Sequence, residues 1–141
     1  MGARIAAKDL TQGQELPSWS YKVVREDLVR YANASGDGNP IHQNEEFAKS
    51  VGLPDVIAHG MHTMGRMGEY VTDWAGDPGV VERFKTRFSA MVVVPAEGGN
   101  TVTVAGTVAE KLEGDRVRLD LVATTQDGAA VAKGEAIVAL A

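Results

Sequence analysis

Residues 60–75, GMHTMGRMGEYVTDWA, read as the longest helix of the chain, and the chain turns to strands beyond them. From Gly60 to about Trp74 no proline interrupts. Met61, Met64, Gly65, Gly68, Val71, Thr72 and Ala75 share one apolar but small face. A glycine inside a helix costs about 1 kcal/mol relative to alanine. Glycines at 60, 65 and 68 therefore need a reason, and close approach of this helix to a sheet is the simplest one. Arg66, Glu69 and Asp73 mark the opposite face, where Tyr70 and Trp74 leave little that is fully polar. The expectation is a helix covered over much of its circumference.

Downstream, Arg83–Ala90, Thr101–Glu110, Arg116–Thr125 and Ala130–Leu140 read as strands. Val102, Val104 and Val108 share one parity, as do Val117, Leu119 and Leu121. Period two with one buried face belongs to an antiparallel sheet. Glu113-Gly114-Asp115 and Asp127-Gly128 are the turns between strands. Upstream, Ser20–Val24 is a short strand. Arg25 to about Ala34 is a helix with acidic residues in its first turn, which suits the helix dipole, and Gly36 ends it. Glu45–Ser50 is a second short helix with Asn44 as its N-cap, stopped by Gly52 and Pro54. Helices gathered in residues 25–76 and strands in 79–139 predict an α+β fold, one antiparallel sheet wrapped around one long helix, with 1–141 forming one domain.

Composition bounds the chemistry. The chain has 141 residues, 44% hydrophobic and 23% charged, enough to bury a core without staples. With no cysteine there is no disulfide framework, thiolate zinc site or cysteine nucleophile. A net charge of −5 argues against a nucleic-acid binder. No apolar run reaches membrane-spanning length and the first residues show no cleavable leader, so the expected location is the cytoplasm.

The informative loop is YANASGDGNPIH, residues 31–42. Pro40 fixes its own φ and biases Asn39 toward extended backbone, so the loop is stiffer than its glycines suggest. Asp37 and His42 are five residues apart with no regular element between them. A bend there can bring a carboxylate and an imidazole toward one point; taken alone, the plainer reading of the pair is an Asx-turn and a packed loop histidine. A second feature is Ala58-His59-Gly60-Met61 at the start of the long helix. Free N–H groups and the positive end of the dipole lie at such a start, and glycine lets a ligand oxygen approach the backbone.

Residues 31–48, YANASGDGNPIHQNEEFA, resemble the hydratase motif of the MaoC-like, R-specific enoyl-thioester hydratases and dehydratases. The aromatic residue, Ser-Gly-Asp, Asn-Pro, the aliphatic residue, the histidine and the small residue six positions later are all present. Ile57-Ala-His-Gly-Met61 is similar to the family's entry into its central helix. Residues 70–79, YVTDWAGDPG, with Arg87-Phe88, add a likeness to the catalytic subunit of actinobacterial (3R)-hydroxyacyl-carrier-protein dehydratases. The resemblance implies a hot-dog domain that pairs as a homodimer, or as a heterodimer with another hot-dog subunit. It implies a substrate that is an acyl-CoA or acyl-carrier-protein thioester. It places the catalytic pair at Asp37 and His42 and the carbonyl-binding backbone amide at Gly60, with Gly36, Asn39 and Pro40 as motif support. The reaction moves water and not electrons, so no metal or redox cofactor is implied.

Three other readings compete. His59 and His62, with Asp37 and His42 nearby, would make a metal site. Glu69 or Asp73 on the central helix would serve a thioesterase. A non-catalytic acyl-binding subunit would lack the Asp37–His42 pair, which this chain keeps. Met61, Met64, Met67 and Met91 are candidate tunnel residues whose plainer role is core filling.

Overall fold

The computed structural model describes residues 2–141. Five antiparallel strands form one sheet: β1 (Trp19–Val23), β2 (Val81–Phe88), β3 (Asn100–Leu112), β4 (Arg116–Thr125) and β5 (Ala130–Ala139), in the spatial order β1-β3-β4-β5-β2. The helices are α1 (Arg25–Ser35), α2 (Glu45–Ser50) and α3 (Gly60–Ala75), and α3 lies against β2, β4 and β5. This is the expected α+β hot-dog arrangement, a sheet wrapped around one long helix. Among the described residues no helix is long and apolar enough to cross a membrane.

Alternation builds the core. Val102, Val104 and Val108 of β3 and Val117, Leu119 and Leu121 of β4 are buried, as their parity predicts, and pack in one cluster with Met67, Tyr70 and Val71 of α3. Gly114 and Gly128 turn with positive φ between strands, and Gly36 caps α1 at φ 81°.

The face of α3 is where expectation and structure part. Its buried residues are Thr63, Met67, Tyr70, Val71 and Ala75. Met61 is 59% exposed and Gly65 faces solvent. The predicted stripe is therefore rotated around the helix from the true one. Nor do Gly65 and Gly68 explain close packing, because a Cβ on either would meet nothing within 4 Å. The close approach is supplied from the sheet. A Cβ on Gly134 of β5 would come within 3.0 Å of Met67 Cε, and one on Gly106 of β3 within 3.2 Å of the Tyr70 ring.

One ion-paired arginine braces the helical half. Arg25, at the start of α1, donates from Nε to the Val94 carbonyl at 2.6 Å and pairs with Asp55 at 2.7 Å. It thereby ties α1 to both flanking segments of the site described next.

Candidate active site

Local chemistry shapes the loop after α1. Asp37 N–H donates to Ser35 Oγ at 3.2 Å, Asn39 N–H to Asp37 Oδ1 at 3.2 Å, and Ile41 N–H to Asn39 Oδ1 at 3.1 Å. These are Asx- and Ser-type turns, in which short side chains replace the missing backbone partners. Pro40 then opens a single 3-10 turn, Pro40–His42, that drives His42 inward to 8% exposure. Asp37 stays at the exposed edge.

The segment before α3 meets this loop. Val94 N–H donates to the Val56 carbonyl at 2.8 Å and Ala58 N–H to the Val92 carbonyl at 2.9 Å, which fixes residues 56–58 against 92–94. Ile57 N–H donates to the Ile41 carbonyl at 3.2 Å, and the Ile57 carbonyl lies 2.7 Å from His42 Nδ1. A carbonyl only accepts, so His42 carries its proton on Nδ1 and the lone pair sits on Nε2.

A carboxylate oxygen of Asp37, a ring nitrogen of His42 and a ring nitrogen of His59 all lie within 4.8 Å of one another. Two acceptors at that spacing can share one water molecule, since each hydrogen bond spans about 2.8 Å. Beside them α3 begins. Gly60 is its first residue, exposed, and its N–H finds no acceptor among the described residues. Gly60 and His42 line one pocket of about 280 Å³, walled further by Thr63, Phe88, Met91 and Val131. A Cβ on Gly60 would sit 3.3 Å from the Phe88 ring, so only glycine leaves the amide fully open on that side.

The structure thus brings Asp37 and His42 together and sets Gly60 in the pocket that His42 lines, with Asp37 outside that lining and Asn39 and Pro40 shaping the loop between them. It leaves the residues of the thioesterase reading outside the pocket. Glu69 is exposed and paired with Arg66 at 2.9 Å, and Asp73 is exposed; neither lines the pocket. Of the methionines, Met91 reaches the pocket, Met67 fills the core, and Met61 borders an outer groove with Arg30 and Arg66. A wider cleft of about 390 Å³ over Lys85, Arg87, Arg118, Lys133 and Glu135 lies among solvated, largely ion-paired side chains on the sheet's other face and touches none of the site residues.

His59 is the residue that sequence reading undervalued. It is the N-cap of α3, 2% exposed, and its ring stacks on His42 with centroids 3.8 Å apart and planes 25° apart. Asp37, His42 and His59 are close enough for a metal ion, but the two rings stack, so as placed their in-plane lone pairs lie in separate planes. His62 is not part of the trio and packs edge-on against Tyr31. Burial holds both His59 and His62 below the ordinary histidine pKa; neighbouring Arg66 adds to the effect at His62.

The chain is 39% identical over 83 residues to the 3-hydroxyacyl-thioester dehydratase X of Mycobacterium tuberculosis, covering 59% of this chain and 29% of that protein. It is 31% identical over 105 residues to the (R)-specific enoyl-CoA hydratase of Rhodospirillum rubrum, covering 74% of this chain and 72% of that one. The R-hydratase of Pseudomonas aeruginosa superposes with a TM-score of 0.84 at 28% identity, covering 96% of this chain and 85% of that chain. The family model described as the MaoC like domain matches residues 8–127, and the chain belongs to that family.

Proposed function

We propose that this chain catalyses the reversible addition of water to a trans-2-enoyl thioester, giving a (3R)-hydroxyacyl thioester. The observation that carries the reading is the convergence of Asp37 and His42, within reach of one water, beside the free Gly60 amide at an apolar pocket. The hand of the product is taken from the (R)-specific relative.

Asp37 and His42 Nε2 hold the water. One proton passes to the imidazole as the oxygen bonds to C3. The C2=C3 electrons move toward the thioester carbonyl, whose oxygen gains negative charge and is held by Gly60 N–H at the positive end of α3. The pair then returns the proton to C2, so one H and one OH have been added. An exposed carboxylate at the site edge and an imidazole inside it suit this division, with the acyl chain lying along Phe88, Met91 and Val131. This chemistry calls for no metal or redox group.

The reading extends to a partner. β2 is an edge strand, and Phe88 and Met91 beside the pocket are each 46% exposed. A second hot-dog unit against this edge, a copy of the chain or a different subunit, covers those side chains and closes the acyl path. A coenzyme A or carrier-protein thioester as substrate and a cytoplasmic setting complete the proposal.

The test is to incubate the purified chain, alone and mixed with candidate hot-dog partners, with crotonyl-CoA, and to determine particle mass and product configuration. The expected result is (3R)-hydroxybutyryl-CoA from a two-subunit particle. Hydrolysis to free acid, or a (3S) product, contradicts the reading.

A further inference from the structure

We propose that His59 is a positioning residue for the Asp37–His42 pair, holding the Asp37 loop through a neutral Nε2–H and backing the His42 ring. The proposal rests on the functional reading above for its kinetic part only.

Three contacts converge on this ring. Its Nε2 lies 3.1 Å from the backbone carbonyl of Asp37, and because a carbonyl only accepts, Nε2 carries the proton. Its face stacks on His42, and its other surroundings include the Tyr31 ring at 4.7 Å. Its Nδ1 is buried with no hydrogen-bond partner among the described residues. A second proton there would make a cation with an unsatisfied N–H beside His42, which burial disfavours. The ring is thus held as a neutral donor.

That hydrogen bond ties the Asp37 end of the loop to the start of α3, beyond the two bonds by which Ile41 and His42 hold the other end to Ile57. Asp37 sits on an exposed stretch of the loop, and its own other hydrogen bonds are local, to Ser35 and Asn39. Gly60 follows His59 directly at the start of α3. His59 is therefore the direct link that sets the carboxylate relative to the carbonyl-binding amide, while its stacked face limits the swing of His42 about its Ile57 bond. His59 touches no reacting atom in this scheme and acts through its two neighbours.

Three substitutions separate the donor from the ring. His59→Phe keeps a stacking ring without a donor. His59→Gln keeps an amide donor of similar reach. His59→Asn keeps a good helix N-cap but falls short of Asp37. Phe and Asn are expected to lower kcat about 10–100-fold with KM within about twofold, as for misplacement of a catalytic group by about 1 Å, and Gln to stay within about fivefold of the parent. Hydrogen exchange is the activity-independent readout: the Asp37, Asn39 and Ile41 amides should exchange faster in Phe and Asn and near the parent rate in Gln. If Phe does not fold, Asn decides. A kcat within twofold of the parent in Asn, Gln falling as far as Asn, or unchanged exchange in all three overturns the proposal. A parent chain without hydratase activity but with the expected exchange pattern overturns the functional reading and supports the clamp.

Discussion

At the scale of single residues, the site is made by carbonyls that require a proton on one chosen nitrogen of each ring. The Ile57 carbonyl holds His42 Nδ1–H and the Asp37 carbonyl faces His59 Nε2–H. Gly60 acts by what it lacks, since a methyl group there would press on Phe88 and narrow the approach to its own N–H. Gly60→Ala is expected to lower kcat/KM about 10–100-fold in steady-state kinetics with an enoyl-CoA. Its urea unfolding midpoint should be unchanged or raised, because alanine favours the helix. A variant with parent-like kinetics would show that the amide does not bind the carbonyl. The approach of Asp37 to His42 was legible in sequence because the turn residues between them act locally, while their choice as a site came from the loop's resemblance to the hydratase motif. His59 was not, because its role depends on stacking against a residue seventeen positions away, contact that no local pattern encodes.

At the scale of elements, most boundaries were readable and one helix face was not. Asn44 accepts from Phe47 N–H at 2.9 Å as the predicted N-cap, and β4 runs over Arg116–Thr125 as alternation indicated. On α3 the apolar residues point to more than one side. Met61 lies at the exposed start beside the site, and Gly65 and Gly68 have no side chain to bury, so they weigh in a pattern without adding to the core. The true face, Thr63, Met67, Tyr70, Val71 and Ala75, meets strands thinned by Gly106 and Gly134. Gly134→Val therefore forces its Cβ to within 3.0 Å of Met67 and 3.1 Å of the Lys85 carbonyl. The expected cost is about 1–3 kcal/mol of overpacking, read from urea unfolding. The same substitution at Gly65 should cost less, because the position is open. Equal losses at the two positions would contradict this packing.

At the scale of the molecule, one buried ring and one half-buried ring make stability depend on pH. Burial lowers the folded pKa of His59 and His62 from an ordinary value of 6.5. Between those folded values and 6.5 the unfolded chain binds more protons than the native one, so stability falls as pH drops below about 6.5. Urea midpoints at pH 7.5, 6.0 and 5.0 should decline in that order, and His62→Gln should flatten the decline. A flat or rising series for the parent chain would mean that these rings are not held neutral. The sheet order could not be read from the chain, because strand alternation defines which side chains face inward but not which strands are neighbours.

The most direct test of the account compares the parent chain with Asp37→Asn and His42→Ala, each confirmed folded by circular dichroism, for the rate of water addition to a trans-2-enoyl-CoA. The account predicts that each substitution lowers kcat by about 10²–10⁴-fold, the usual contribution of a placed acid or base. Either variant retaining kcat within a few-fold of the parent would contradict it.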